Sequence, residues 1–273
     1  FGQRVVFDQA VTSGDAYERD LLINANDLNF NSRVGSSTNP IGILKIDVKH
    51  QVVFNGEVLV GHLETGATGV TYFNIPVITT TSKSSMVFGN DVVVSSQDVL
   101  FDSTNDGAMA GGNITFNKGL TRSVAGHSNV TIQAGEGIVK LLGSVGKTSD
   151  DVTSPLNRFT VKASGGIVIG GHVQTAGAQV YKNAVTLVAT STLIATEVEW
   201  ISVMATMPNV GLSLVSQGAQ ELTAITLTGD LNVTTGGAGF VGGVTQRPGT
   251  ALNVQGSTTL TADTTQGQVA ELT

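Results

Sequence analysis

The sequence predicts an all-β protein that winds into a β-solenoid of roughly 11–14 turns. Three observations predict this fold: a composition that disfavours helices, a short apolar unit that recurs along the chain, and alternating polar and apolar segments between the units. The chain has 273 residues, of which 34 are glycine. Glycine is a poor helix former, whereas the abundant Val and Thr favour strands.

The recurring unit is a large apolar residue, three intervening residues, and then Val or Leu. Units of this kind at Phe7, Phe30 and Phe54 lie 23 and 24 residues apart, which is close to one turn of a coil with three short strands. Self-similarity at such a period is the signature of a solenoid. The units predict that the following residues form the columns of the core: Phe7, Val11, Phe30, Val34, Phe54, Val58, Phe73, Val77, Phe116, Ile169, Val173, Tyr181, Val185, Phe240 and Val244.

Segments of period-two alternation, bounded by Gly, Asn and Ser, predict half-buried strands separated by turns. They are residues 21–30, 43–54, 129–135, 158–169, 222–233 and 251–262. The polar segment 147–157, which contains Pro155, is predicted to be a loop excursion, and segment 188–224 to be the least regular part, with Trp200 and Met204 filling a wider core. Residues 1–273 are thus expected to form one solenoid, about 13 turns and roughly 60 Å long. A β-sandwich or barrel is the structural alternative, although such folds rarely repeat one side-chain motif this often.

Composition argues against several classes of partner. The net charge is −7, and Lys and Arg together number only 14, so no basic stripe is available for nucleic acid or for an anionic membrane surface. There is no cysteine, and no apolar run approaches the ~18 residues that span a bilayer. The first residues lack the features of a signal peptide and already resemble a repeat unit, so the chain is interpreted as a piece of a longer protein.

Few residues are candidates for catalysis or for metal binding. Glu197 and Glu199 lie in one alternating segment and are expected to share a face, while Asp150 and Asp151 lie in a polar loop. These carboxylates are interpreted as solvated surface charge, with a carbohydrate-active enzyme as the alternative. No metal or cofactor is expected, because the four histidines, His50, His62, His127 and His172, are isolated from one another.

Other short motifs are weak. Gly146, Lys147 and Thr148 match the end of a P-loop, but Leu141 stands where the motif needs glycine. Three sequons, at Asn113, Asn129 and Asn232, lie in runs that read as strands.

One stretch carries a family resemblance. The run SPLNRFTVKASGGIVIGGHVQTAGAQVYKNAVTL (154–187) resembles the repeat of large bacterial exoproteins of the filamentous-haemagglutinin kind and of related autotransporter passengers, and FNGEVLVG (54–61) is similar. The resemblance implies a right-handed parallel β-helix that is secreted or displayed at the surface of a Gram-negative bacterium. It also implies a role in adhesion, aggregation or an extracellular matrix.

The expected function is therefore a non-enzymatic extracellular adhesive or structural segment that can self-associate into filaments. The expected partners are a host or neighbouring cell surface, glycans or matrix, or copies of the chain itself, without nucleic acid and without insertion into a membrane. A carbohydrate-active lyase or hydrolase and a pure spacer stalk are the alternatives.

Overall fold

The computed structural model describes residues 4–14, 19–81, 83–105, 107, 109–123, 127–148, 150, 153–237, 240 and 242–262. These residues form 28 strands and no helix. The strands stack in parallel as a β-solenoid of about 11 turns, which confirms the predicted fold class. At about 4.8 Å between neighbouring strands, 11 turns make a rod about 50 Å long.

The first half of the chain contributes the longest strands. In chain order they are β1 (Arg4–Phe7), β2 (Arg19–Phe30), β3 (Ile41–Phe54), β4 (Val58–Thr65), β5 (Val70–Phe73), β6 (Val77–Thr80), β7 (Met86–Phe88), β8 (Asp91–Val94), β9 (Asp98–Asp102), β10 (Ile114–Phe116), β11 (Leu120–Arg122), β12 (Asn129–Gly135), β13 (Val139–Leu141) and β14 (Arg158–Ala163).

The second half is built from shorter strands. They are β15 (Ile167–Ile169), β16 (Val173–Gln174), β17 (Gln179–Tyr181), β18 (Val185–Leu187), β19 (Ser191–Ala195), β20 (Val198–Glu199), β21 (Ser202–Ala205), β22 (Leu212–Ser216), β23 (Gln220–Leu222), β24 (Ala224–Leu227), β25 (Leu231–Thr235), β26 (Val244–Gln246), β27 (Leu252–Val254) and β28 (Thr258–Ala262).

Each regular turn runs through three faces. Face 1 carries β5, β8, β11, β16, β19, β22, β25 and β28; face 2 carries β6, β9, β12, β14, β17, β20, β23 and β26; face 3 carries β7, β10, β13, β15, β18, β21, β24 and β27. The long strands β2 and β3 bend from face 3 into face 1, and β4 bends from face 2 into face 3. All 25 strand pairings are parallel, so a sandwich of antiparallel sheets is excluded for the described residues.

The interior is an apolar column because like residues stack on successive turns. Phe7, Phe30, Phe54 and Phe73 occupy the same position of face 1, and their rings are stacked with centroids 5.0–5.2 Å apart. On the next turn Val94 pairs with Phe73, and the space is filled from face 3 by Phe88 and from face 2 by Phe101, both edge-on to Phe73. Stacked and edge-on rings are both favourable arrangements, so the aromatic column continues although the residues change face.

The Asn or Asp that follows each phenylalanine of face 1 has a separate role. Asn31 donates from Nδ2 to Asp8 Oδ1 (2.8 Å), Asn55 to Asn31 Oδ1 (3.1 Å), and Asn74 to Asn55 Oδ1 (2.8 Å). This ladder ties four successive turns at the corner between faces 1 and 2. At the same corner Gly56 is required, because a Cβ there would lie 2.1 Å from the Ser32 carbonyl carbon.

Most of the predicted core residues are buried. Phe30, Val34, Phe54, Val58, Phe73, Phe116, Ile169, Val173, Tyr181, Val185 and Val244 are buried, and Phe7 and Val11 in the first turn are partly buried.

Two predicted core residues are exposed, and those predictions were wrong. Val77 starts β6 and is 36% exposed, because the loop after Phe73 is one residue longer than the loop after Phe54 and Ile78 therefore occupies the position that Val58 holds below it. Phe240 is 45% exposed and forms an isolated bridge with Gly237 in the loop before β26.

Segment 188–224 contains an irregularity on face 2, where β20 and β23 belong to different sheets, but it is regular on the other two faces. Strands β18, β21 and β24 pair in register, as do β19 and β22. Trp200 is buried as predicted, but Met204 points outward and is 46% exposed, because Val203 and Ala205 take the inward positions of β21. In segment 147–157, Lys147 and Thr153 form an antiparallel bridge, unlike the parallel pairs of the faces. Asp151 lies outside the described residues.

Candidate functional site

The outer surface of face 2 carries a groove. Two adjacent depressions, of about 400 and 360 Å³, lie along it and share Gln133 and Lys162 as lining residues. Their linings run from Pro76 and Val77 beside β6 to Lys182 after β17. The depressions thus form one continuous feature, called here the face 2 groove.

The alternation of β12 and β14 builds the floor of the groove. Both strands bury every second residue, so the intervening side chains point outward. Their register places Thr131 beside Thr160 and Gln133 beside Lys162. β12 therefore contributes the amides and hydroxyl of Asn129, Thr131 and Gln133 to the floor, and β14 contributes Lys162.

The segment after β9 forms one wall. Thr104, Gly107 and Met109 line the groove, and the Met109 side chain is 80% exposed. Gln133 Nε2 donates to Thr104 Oγ1 (3.1 Å), which fixes this wall to the floor. Buried Asp102 holds the same segment by accepting hydrogen bonds from the Thr104 backbone N–H (2.7 Å) and hydroxyl (2.5 Å).

Charge in the groove is concentrated on two lysines. Lys182 Nζ lies 2.7 Å from Glu199 Oε1 on the next turn, so its charge is balanced. Lys162 is exposed, and within the described part of the chain it forms no ion pair. Asp98, at the far end of the groove, accepts a hydrogen bond from Asn129 Nδ2 (2.8 Å).

Beyond Lys182, face 2 carries the acidic residues predicted from the sequence. Glu197 and Glu199 are both exposed on either side of buried Val198, so they share the outer face as expected. Glu221 follows on the next turn, where Arg247 Nε donates to its Oε2 (2.8 Å). With Trp200, these side chains line a cleft of about 240 Å³.

Electrostatics in this cleft favour ion pairing over acid–base chemistry. Hydrogen bonding to Glu221 and its negative charge raise the pKa of Arg247, so the guanidinium keeps its proton. Glu199 forms an ion pair with Lys182, and Glu221 forms one with Arg247. Across the described residues, no three His, Asp or Glu side chains lie close enough together to hold a metal ion.

The cleft lies where face 2 is interrupted. β20 and β23 belong to different sheets, and the Gln220 side chain bridges them. Val198 N–H donates to Gln220 Oε1 (3.2 Å), and Gln220 Nε2 donates to the Val198 carbonyl (2.6 Å). A side-chain amide thus takes the place of a peptide group in the sheet.

The other candidates from the sequence lie apart from the groove. His50 is 3.4 Å from Asp27, His62 is 3.8 Å from Glu64, and His172 is 3.3 Å from Gln174, which agrees with isolated surface histidines. His127 is exposed. Among the described residues, no helix follows the P-loop-like residues Gly146, Lys147 and Thr148. Lys147 instead forms a bridge with Thr153.

Sequence reasoning missed Lys162, Gln133, Lys182 and Gln220. A signal for the first two is present, because both occupy outward positions of segments that were predicted to be strands. Gln220 gives no such signal, since a glutamine in a short polar segment normally faces solvent.

Comparison with known proteins gives no relative: no family model, no curated protein and no solved structure matches this chain. The resemblance to filamentous-haemagglutinin repeats therefore stays a prediction. Among the described residues, no helix has the length and apolar character needed to cross a lipid bilayer.

Proposed function

We propose that this chain is a non-enzymatic adhesive or structural segment of a large secreted protein at the surface of a Gram-negative bacterium. The observation that carries the proposal is the face 2 groove, an elongated feature that combines hydroxyls and amides, as at Thr131, Gln133 and Asn183, with apolar surface at Val77, Leu100 and Met109. Its partners would be glycans, matrix or a neighbouring cell surface. Many weak contacts along a rigid rod increase the overall affinity through multivalency, which suits a protein that binds a surface without catalysing a reaction.

The arrangement of carboxylates supports a binding role. A glycosidase needs one free carboxylate to act as an acid and another to act as a base or nucleophile. Glu199 and Glu221 are instead engaged by Lys182 and Arg247. Glu197 is the remaining glutamate of the cleft.

The ends of the rod support self-association. Val5 and Phe7 in the first described turn, and Leu252, Val254 and Leu260 in the last, are only partly buried. Among the described residues β1 pairs with β2 and β28 with β25, each on one side, and strand edges and apolar side chains that a stack leaves uncovered favour pairing with another chain. Copies of this chain are therefore a second class of partner.

A direct test measures binding of the fluorescently labelled 273-residue chain to a panel of immobilised glycans and to bacterial and epithelial cells. Light scattering over a hundredfold range of concentration measures self-association in parallel. Binding to a surface, or growth into filaments, supports the proposal. A chain that stays monomeric throughout and binds no glycan and no cell contradicts it.

A carbohydrate-active enzyme is the second candidate, favoured by one observation: Glu197, Glu199 and Glu221 line one cleft beside Trp200. Viscosity and reducing-end assays on acidic and neutral polysaccharides test it. Depolymerisation that is lost in Glu197→Gln and retained in Glu57→Gln, a glutamate distant in sequence, would favour the enzyme over the adhesin.

A further inference from the structure

The face 2 groove is long enough for several units of a polymer. It crosses β6, β9, β12, β14 and β17, which are successive strands of one face. Four intervals of about 4.8 Å give a length of about 19 Å. A small metabolite occupies only part of such a groove.

Lys162 lies on β14, the fourth of these five strands, where the two depressions meet. Lys182 lies beside it on the next turn, since the Lys182 N–H donates to the Val161 carbonyl (2.9 Å). Like charges on neighbouring strands repel. Glu199 forms an ion pair with Lys182 and neutralises its charge. Among the described residues that line the groove, Lys162 is the cation that has no carboxylate partner.

Among the described residues, two acidic side chains on β9, Asp98 and Asp102, are already engaged. Asp102 on β9 is in register with Gln133 on β12, which is in register with Lys162 on β14. The Asp102 carboxylate, however, is buried and accepts hydrogen bonds from Thr104. Asp98 accepts from Asn129 at the groove's end. Among the described residues, the groove is therefore locally cationic around Lys162, although the whole chain carries a net charge of −7.

The rest of the lining favours a carbohydrate over a peptide. Thr131, Gln133, Ser164 and Asn183 offer hydroxyls and amides, which both donate and accept hydrogen bonds. Peptides are bound either by an unpaired strand edge or by apolar pockets for side chains. β9, β12 and β14 are paired on both sides, so they offer no edge.

We propose that the face 2 groove binds an acidic polysaccharide and that Lys162 pairs with a carboxylate or sulfate group of the chain. The inference rests on the proposed adhesive function and narrows its ligand to one chemical class. Thr131 and Gln133 would contact sugar hydroxyls, and Lys162 would select for negative charge.

The test uses the 273-residue chain and four polymers of similar length: polygalacturonate, dextran sulfate, uncharged dextran and polyglutamate. We expect polygalacturonate or dextran sulfate to bind at least tenfold more tightly than dextran and polyglutamate. Binding should weaken as salt is raised, because ions screen exposed charges. The two acidic polysaccharides distinguish carboxylate from sulfate, and single galacturonate should bind far more weakly than the polymer.

Variants assign the effect to this site. Lys162→Glu should lose about tenfold to a hundredfold in affinity, as expected for loss of a charge-assisted hydrogen bond, whereas Lys162→Arg should stay within about threefold. Lys140→Glu is the matched control, because Lys140 lies on β13 of face 3 and the same charge change there should alter affinity by less than about twofold. Circular dichroism verifies that each variant is folded.

The outcomes separate this inference from the proposed function. Binding to glycans or cells that is equal in wild type and Lys162→Glu overturns the inference and leaves the adhesive function in place. Equal losses in Lys162→Glu and Lys140→Glu, or equal binding of polyglutamate, also overturn it. Absence of binding to every polymer and every cell contradicts both.

Discussion

At the scale of single residues, the asparagine ladders have a direction. Asn31 and Asn55 each donate from Nδ2 to the turn before and accept at Oδ1 from the turn after. The first member of a ladder only accepts a hydrogen bond, so it can be aspartate. It is Asp8 in the ladder described above. A second ladder starts at Asp98 and continues through Asn129 and Asn157. The polarity of the ladder explains why Phe7 is followed by Asp and Phe30 by Asn.

The ladder predicts that aspartate is tolerated only at the start. Asn55→Asp removes the amide that donates to Asn31 Oδ1 and places a carboxylate oxygen against that acceptor. We therefore expect the free energy of unfolding to fall by about 1–3 kcal/mol. Asp8→Asn keeps an acceptor and should change it by no more than about 0.5 kcal/mol. Urea denaturation at pH 7 measures both.

Acidification provides the control for this prediction. Below about pH 4 the introduced carboxyl is protonated and regains a donor, so the loss in Asn55→Asp should shrink. Equal losses in Asn55→Asp and Asp8→Asn would show that the ladder has no preferred direction.

Tyr181 is a buried residue whose ionisation matters to stability. Its hydroxyl donates to Gln179 Oε1 (3.0 Å), and desolvation by burial raises its pKa above the usual value of about 10. The folded chain thus holds this proton more tightly than the unfolded chain. The stabilising effect is complete below about pH 10 and is lost as the pH rises towards the folded pKa.

Tyr181→Phe separates this effect from other alkaline effects. At pH 7 the variant should lose about 1 kcal/mol of unfolding free energy, because Gln179 loses a partner. Above pH 10 its stability should fall less steeply than that of the wild type, by up to about 1.4 kcal/mol per pH unit. Urea denaturation at pH 7, 10 and 11 measures the slope, and parallel curves would contradict a buried, protonated Tyr181.

At the scale of strands, loop length decides which residue faces inward. Val58 follows Phe54 by four residues and is buried, whereas Ile78 rather than Val77 is the inward residue after Phe73. A shift of one residue sends each side chain of a strand to the opposite face. The repeated unit identifies the strands correctly, but their register depends on the loops between them.

The break in face 2 gives an element-scale prediction. Gln220→Ala leaves both backbone groups of buried Val198 without their partner, so the free energy of unfolding should fall by about 2–4 kcal/mol. Gln217→Ala changes an exposed glutamine nearby and should cost no more than about 0.5 kcal/mol. Chemical denaturation compares the two, and similar small changes in both would mean that Gln220 does not join β20 to β23.

At the scale of the whole molecule, a solenoid is held together by contacts between neighbouring turns. Within the described part of the chain, interior turns are covered on both sides, whereas β1 pairs only with β2, and β28 only with β25. In such a chain, local opening starts where neighbours are missing. Stability is therefore expected to decrease from the middle of the rod to its ends.

Native-state hydrogen exchange tests this gradient. Amides of β12 and β14, in the middle of the rod, should exchange at least about tenfold more slowly than those of β1 and β28. Phe159 and Val130 in the middle are buried, whereas Leu260 in β28 is only partly buried. Uniform protection along the chain would indicate all-or-none unfolding instead.

The sequence by itself determined the fold class, most of the core residues and the outward positions of Glu197 and Glu199. These follow from signals that lie within a few residues of each other, namely the period-two alternation of a strand and the unit of Phe followed by Asn or Asp that recurs in the first half of the chain. Only the tertiary structure decided that Ile78 replaces Val77, that Gln220 closes a gap in face 2, and that Gln133 and Lys162 meet in one groove. Those features depend on the register between turns about 20–30 residues apart, which loop lengths set and which a local pattern does not contain.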